Sequence, residues 1–241
     1  MRWTTLGTGH GAAEAGRACS VNLLTVSDVH YLFDCGGSAE ERLMTAGIDK
    51  AAIRAVFISH MHEDHVGGLS AIAKQYPHYV EGVSPIFYMP EREGIESFRA
   101  WLSAMHCDEI GELITYRLIE AGEIYRDGLI TVTAYRTEHI YHGKYPSYAF
   151  MIEAEGKRVF YTGDLDFDFH DFPRVLLCEP VDLLVSECVH FSLEENFDLI
   201  ASARTKKLVF THVSPRKMPR LTDRSFPYDV AIAKDGDVFE L

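Results

Sequence analysis

Residues 57–68 read FISHMHEDHVGG, with His60, His62, Glu63, Asp64 and His65 crowded behind the apolar run AVFIS. In an extended segment leaving a buried strand, side chains alternate with period two, so His60 and His62 face the same way and can share one metal ion. Asp64 and His65 follow where the chain turns towards a helix, and they can face a second ion. Gly67 and Gly68 permit a tight backbone turn beneath them. Imidazole and carboxylate together suit zinc, with manganese and iron as alternatives, and no sulfur ligand stands in the motif. The bland alternative is an exposed polar turn, which the preceding apolar strand argues against.

A dinuclear site needs further ligands, and three coordinating side chains stand directly after other apolar runs. His139 ends LITVTAYRTEH, Asp164 ends RVFYTGD and His212 ends KKLVFTH. Loops held at the ends of rigid strands are where function concentrates. Asp164 is best suited to bridge, since a carboxylate offers two oxygens with spare lone pairs. His142 lies three residues beyond His139 and competes with it; His139 is preferred because it follows its strand immediately. His142 then becomes a substrate-facing or solvated histidine. His78, His106 and His170 read as surface residues, and His10 and His30 stay undecided.

The elements that must position these residues follow from the pattern. CSVNLLTVS and VHYLFDCG pair through a turn at Ser27-Asp28, and SAEERLMTAGI is a helix closed by Gly47. AVFISH is a short buried strand, LSAIAKQYP a helix, and SPIFYMP a strand between prolines. EREGIESFRAWLSAMH places Ile95, Phe98, Leu102 and Met105 on one helical face. LITVTAYRTEH, VDLLVSE and KKLVFTH are further strands, and AFMIEAEGKRVFYTGD is a hairpin turning at AEGK. Strands outnumber helices in two similar halves, which predicts packed sheets with helices outside.

The chain has 241 residues, 47% of them hydrophobic, and a formal net charge of −13. That length is expected to form one domain over residues 1–241 with a sizeable core. The acidity argues against a general nucleic-acid binder, because phosphate demands local positive charge. The first residues, MRWTTLGTGHG, carry no leader and no run of about 18 apolar residues occurs, so a cytoplasmic protein without a membrane span is expected. Five scattered cysteines without a CxxC pair read as free, mostly buried thiols. Residues 204–224 hold Arg204, Lys206, Lys207, Arg216, Lys217, Arg220 and Arg224 against the single acid Asp223. That local excess would sit beside His212 and attract an anionic substrate.

From LGTGHG and YLFDCGG through HMHEDH, TEH and YTGD to THVSPR, the chain resembles the metallo-β-lactamase superfamily over nearly its whole length. The resemblance implies a four-layer αββα sandwich of the α/β class, two mixed sheets with helices outside and a metal site at one edge. It implies that His60, His62 and His139 hold one divalent ion, that Asp64, His65 and His212 hold another, and that Asp164 lies between them. The chemistry is then hydrolysis by a metal-bound hydroxide, with Asp64 orienting the water or accepting its proton.

LGTG, FDCG and THVSPR are similar to the ribonuclease Z-like phosphodiesterase branch, where a serine and an arginine follow the last metal histidine. Ser214 and Arg216 would contact phosphate oxygens, with His142 beside them. SECVHFSLEENF stands in place of that branch's expected His-Ser-Thr stretch, leaving Glu187 and His190 to orient a ligand or protonate a leaving group. No counterpart of the Gly/Pro-rich arm that clamps transfer RNA is seen. A small or medium phosphodiester or cyclic phosphate is therefore the leading substrate. A carboxylic ester, lactone or thioester hydrolase, ribonuclease Z-type RNA processing and a non-catalytic metal sensor are the alternatives. A homodimer is also entertained.

Overall fold

Phe57 and Val56 are neighbours on one strand and both are fully buried, but in different cores: Phe57 packs among Trp3, Phe33 and Phe150, and Val56 among Leu32, Phe87 and Leu102. A strand covered on both faces reads as a continuous apolar run rather than an alternating one, and AVFIS does so because helices cover its outer side. The computed structural model describes residues 1–12, 14–80, 82–217 and 225–241.

The first sheet is built from β1 (Arg2–Gly7), β2 (Val21–Val26), β3 (Val29–Cys35), β4 (Ile53–Phe57), β5 (Ile86–Met89) and β6 (Thr115–Leu118). The second holds β7 (Gly122–Arg126), β8 (Thr131–Thr137), β9 (Ser147–Ala154), β10 (Lys157–Tyr161), β11 (Val181–Glu187), β12 (Thr205–Thr211) and β13 (Asp229–Ile232). The last strand, β14 (Asp237–Glu240), crosses back to pair antiparallel with β1. The orders are β14-β1-β2-β3-β4-β5-β6 and β13-β12-β11-β10-β9-β8-β7, seven strands in each sheet. Helices α1 (Ala39–Thr45), α2 (Glu63–Val66), α3 (Leu69–Ala73), α4 (Gln75–His78), α5 (Arg92–Ala104) and α6 (Asp108–Leu113) fall between strands of the first sheet, and α7 (Leu193–Ala201) links β11 to β12.

One apolar core lies between the sheets, a second outside the first sheet and a third outside the second sheet, around Phe160, Phe191 and Ile200. The four-layer αββα arrangement with two mixed sheets is the one expected. β3, β4 and β5 run parallel, as do β10, β11 and β12, so their carboxyl ends gather at one edge. β8 shares that direction, being antiparallel to β9, which is antiparallel to β10.

Four expectations need correction. LSAIAKQYP is broken rather than continuous: Tyr76 has φ −109° and ψ 120°, the extended backbone that a following proline imposes. Met105 caps α5 and is 37% exposed, so the apolar face ends at Leu102. Only Cys35 and Cys188 are buried, while Cys19 and Cys107 are partly exposed and Cys178 is exposed. Gly67 and Gly68 have ordinary helical torsions; Gly68 is required because a Cβ there would lie 2.2 Å from the Gly36 carbonyl oxygen. Among the described residues no helix is long and apolar enough to cross a membrane.

Candidate metal centre

The chain leaves β4 through Ile58, whose N–H donates to the Tyr88 carbonyl at 2.9 Å, so the extended path continues to Ser59 and His60. His60 is fully buried, His62 caps α2, and Asp64 and His65 lie on its buried side. From the other sheet come His139 two residues past β8, Asp164 three past β10, and His212 next after β12.

These residues converge. His60 Nε2 lies 3.0 Å from His62 Nδ1, which lies 3.2 Å from His139 Nε2. Asp164 Oδ2 sits 3.7 Å from His60 Nε2 and from His139 Nε2, and 3.4 Å from His65 Nε2 and His212 Nε2. Asp64 Oδ2 is 3.5 Å from both His65 Nε2 and His212 Nε2. Two groups able to hold an ion result, His60, His62, His139 and Asp164 on one side and Asp64, His65 and His212 on the other. A third grouping joins Asp164, His190 and His212.

The ring nitrogens pointing away from the centre are anchored. His60 Nδ1 meets Ser59 Oγ at 3.0 Å, His65 Nδ1 meets Asp34 Oδ2 at 2.8 Å, His139 Nδ1 donates to the Leu165 carbonyl at 3.0 Å, and His212 Nδ1 donates to the Gly9 carbonyl at 2.9 Å. Such anchoring fixes tautomer and ring direction, as the outer partners of metal-ligating histidines do. His65 Nε2, which faces the centre, is buried without a hydrogen-bond partner, and so is the second oxygen of Asp164, Oδ1. Buried polar atoms that converge without partners are costly unless something occupies the space between them, and imidazole with carboxylate suits a divalent cation. The donor set therefore fits a metal centre.

Electrostatics agree at the first group, whereas at His65 the lowering effect of burial is outweighed by Asp164 and Asp34, which hold the imidazolium well above its ordinary range. Burial, with His65 next to it, holds the His60 imidazolium well below its ordinary range, and burial and His139 lower His62, so both favour the neutral ligand form. Burial alone would raise Asp164, but His212, His65 and His190 outweigh it and hold the carboxyl well below the carboxylate range.

Glu187, at the end of β11, is fully buried and accepts from the backbone N–H of Leu165, Val189 and His190 at 3.0, 2.7 and 3.0 Å. Its Oε1 lies 3.0 Å from His190 Nδ1. The His190 ring stands 4.5 Å from that of His139 and 5.8 Å from that of His212, beside both groups. Burial pulls its imidazolium down, yet Glu187 and Asp164 raise it to about 9.

His142 is not in the central cluster. Its Nδ1 lies 3.1 Å from Asp166 Oδ2, and it groups with Asp166 and Asp168 on the rim. Ser214 is half-buried and Arg216 exposed, on the segment after His212. Three members of the basic run lie elsewhere. Arg204, Lys206 and Lys207 lie at the start of β12, about 20 Å from its far end at 3.3 Å per residue. Lys206 pairs with Asp182 at 2.8 Å, and Lys207 stands over the Phe239 ring at 5.2 Å. Lys217 donates to the Val189 carbonyl at 2.7 Å, tying its loop to the one that carries His190. Arg220, Asp223 and Arg224 lie outside the described residues, as does the side chain of His78. His106 and His170 are exposed, the latter 2.9 Å from Glu138. His10 is half-buried, 2.8 Å from Glu14, and His30 is buried, 3.0 Å from Thr25 Oγ1.

Asp34 is the functional neighbour that reading the motifs missed. Fully buried at φ +61°, it accepts from Ser59 N–H and Ser59 Oγ at 2.7 and 2.8 Å and from Tyr161 at 2.6 Å, besides meeting His65. The only signal was a carboxylate at the end of the apolar run YLF.

Two seven-stranded sheets with a histidine–aspartate cluster at their shared edge are the metallo-β-lactamase fold. The chain matches the family model described as Anti-Pycsar protein Apyc1 over residues 1–226, and it belongs to that family. It is 31% identical over 156 residues to the ribonuclease Z of Anoxybacillus flavithermus, a match covering 63% of this chain and 48% of that protein. The chain spans about half the length of the curated relatives it matches. Among solved structures, the metallo-β-lactamase fold protein YhfI from Bacillus subtilis superposes with a TM-score of 0.79 at 24% identity, covering 99% of both chains. The short form of human tRNase Z, ELAC1, gives 0.77 at 22% identity over 100% of this chain and 99% of that one.

Proposed function

We propose that the protein is a metal-dependent hydrolase, and that its substrate is a small or medium phosphodiester, cyclic phosphates included. The observation that supports this most is the position of Asp164 Oδ2 between the two groups of histidines. His60, His62 and His139 would hold one ion and Asp64, His65 and His212 a second, with Asp164 shared; zinc suits the donors best, and manganese or iron is compatible. Divalent ions bound there would supply Lewis acidity and lower the pKa of water. Asp64 takes up or orients the proton of the attacking water. His190, held by Glu187 through Nδ1, keeps Nε2 free to protonate the leaving oxygen. Ser214 and Arg216 bind the non-attacked phosphate oxygens. Glu187 touches no reacting atom and acts as a positioning residue.

Phosphodiester chemistry is favoured over carboxylic esters by Arg216, an exposed guanidinium four residues after His212 in the chain. A second reading, RNA processing, is favoured by the identity to ribonuclease Z. The protein loaded separately with zinc, manganese and iron should be assayed on bis-p-nitrophenyl phosphate, a lactone, a thioester and a transfer RNA precursor. Hydrolysis of the phosphodiester without the lactone and thioester supports the proposal. The reverse pattern overturns it, and cleavage of the precursor at higher efficiency moves the substrate to RNA.

A further inference from the structure

Asp235 stands in the turn between β13 and β14, and its carboxylate reaches the loop that joins β1 to β2. Oδ1 accepts from the Thr8 N–H at 2.9 Å and from the Thr8 hydroxyl at 2.7 Å, while Oδ2 accepts from the Ala18 N–H at 2.7 Å. One carboxylate, only 8% exposed, therefore grips both ends of the loop. Hydrogen bonds from backbone N–H to an ionised acceptor are among the stronger kind. Between those two points the Gly9 N–H donates to the Ala18 carbonyl at 2.7 Å and closes the neck.

What this loop touches lies on one side of the candidate metal centre. The Gly9 carbonyl accepts from His212 Nδ1 at 2.9 Å, and the Ser20 N–H donates to the Asp64 carbonyl at 3.1 Å. A Cβ on Gly11 would lie 3.4 Å from Asp64 Oδ2, so the loop passes directly over that carboxylate. Arg17 donates to the Thr8 carbonyl and, at 2.9 Å, to the carbonyl of Val213, the residue after His212. His212 and Asp64 are two of the three donors of the second group. The first group has other anchors: His60 meets Ser59 Oγ, and His139 donates to the Leu165 carbonyl.

An imidazole held through its outer nitrogen keeps its direction only as firmly as the partner carbonyl is itself held. The hold on His212 passes through Gly9, which sits next to Thr8 and across from Ala18, the two points that Asp235 grips. Releasing the carboxylate frees both ends of the loop. The entropy of ordering it again would then be charged against binding at the second group.

We propose that Asp235 is a positioning residue for the second ion alone, so that the two ions rest on separable supports and the turn between β13 and β14 sets the affinity of one of them. This rests on the two-ion reading above and extends it to a residue that touches neither ion.

The test withdraws zinc stepwise from the zinc-loaded protein with a chromogenic chelator and reads the affinity of each ion. Asp235→Ala should loosen one ion about 10- to 100-fold and leave the other where it was. Asp235→Asn keeps an acceptor oxygen for one end of the loop only, so it should fall between the two; it carries the comparison if the alanine variant does not fold. The loosened ion is identified by combination: Asp235→Ala should add nothing in a chain already carrying His212→Ala, and should act in full in one carrying His139→Ala. Thr5→Val separates positioning from stability, because the Thr5 hydroxyl donates to the Lys234 and Asp237 carbonyls of the same turn at 3.0 and 3.4 Å. That variant should unfold at lower urea concentration and keep both zinc affinities.

Two ions loosened equally, or neither, would overturn the proposal. So would an undiminished effect of Asp235→Ala on top of His212→Ala, or a Thr5→Val that loosens the same ion by the same factor. An unaltered protein that takes up a single ion overturns the two-ion reading itself, a result obtained without any Asp235 variant.

Discussion

The carboxylate of Asp34 lies 2.8 Å from Nδ1 of His65, and both side chains are fully buried. Asp34 is therefore expected to set the direction of His65 Nε2 towards Asp64 and Asp164. Asp34→Ala should lower zinc affinity about 10- to 100-fold, as loss of an outer partner does at comparable sites. It also strands the Ser59 N–H, at a cost of about 1–3 kcal/mol, and leaves the Tyr161 hydroxyl with Ser20 Oγ alone at 3.2 Å. Competition with a chromogenic chelator reads the first effect and urea unfolding the second. Unchanged zinc affinity would exclude the positioning role.

His139 and His142 make opposite predictions. His139→Ala should reduce bound metal by about half or more, since it removes one of the four donors of the first group. His142→Ala should leave metal content intact, because that side chain is 56% exposed and pairs with Asp166 on the rim. Elemental analysis after dialysis separates them, and metal loss from His142→Ala alone would reverse the assignment.

Arg216→Ala should raise KM for a phosphodiester about tenfold with metal content unchanged, the value of a charge-assisted bond to a phosphate oxygen. Lys206→Ala should leave KM where it is, because Lys206 pairs with Asp182 at the other end of β12. Steady-state kinetics on both proteins decide this; an equal rise in KM would return the substrate role to the run as a whole.

Asp127 gives a pH dependence remote from the centre. Burial pushes its carboxyl up, but the hydroxyl of Tyr31, the backbone N–H groups of Ile130 and Leu129 and the hydroxyl of Tyr125 outweigh burial and lower it from 3.8 to about 2. A carboxyl depressed on folding stabilises the native state above its unfolded pKa, and that contribution is lost as pH falls through the folded one. About 1 kcal/mol, discounted for solvent screening, should therefore disappear between roughly pH 4 and pH 2. Urea unfolding of Asp127→Asn across that range should lack this component; an identical pH profile would show that the cluster contributes nothing.

Removal of metal by a chelator should lower the melting temperature, because the buried imidazoles and carboxylates lose the charge they converge on. Asp164→Ala should melt at nearly the same temperature with and without chelator, and differential scanning calorimetry checks both.

Much of the site was legible because its residues are of rare type at strand ends. HMHEDH, TEH, YTGD and KKLVFTH each mark the point where an apolar strand stops and a coordinating side chain begins, and the strands β4, β8, β10 and β12 end there. Asp34 was less legible: one aspartate after an apolar run looks like a turn residue, and its role depends on Ser59, His65 and Tyr161 arriving from distant segments. Edge strands escaped notice for a related reason. β6, β7 and β14 are short and half-exposed, so neither alternation nor an apolar run marks them. The start of the basic run misled because proximity in sequence to His212 is not proximity in space: the length of β12 separates Arg204 and Lys206 from the edge where His212 stands.

His60, His62, Asp64 and His65 follow β4 of the first sheet, whereas His139, Asp164 and His212 follow β8, β10 and β12 of the second. An ion held by residues of both sets would act as a rivet across the seam of the sandwich. Grip on the ion and cohesion of the two halves are then a single thermodynamic quantity seen from two sides. A substitution in the aromatic interior, at Phe33 or Phe150, that lets the layers drift apart would register at the distant edge as a looser hold on metal.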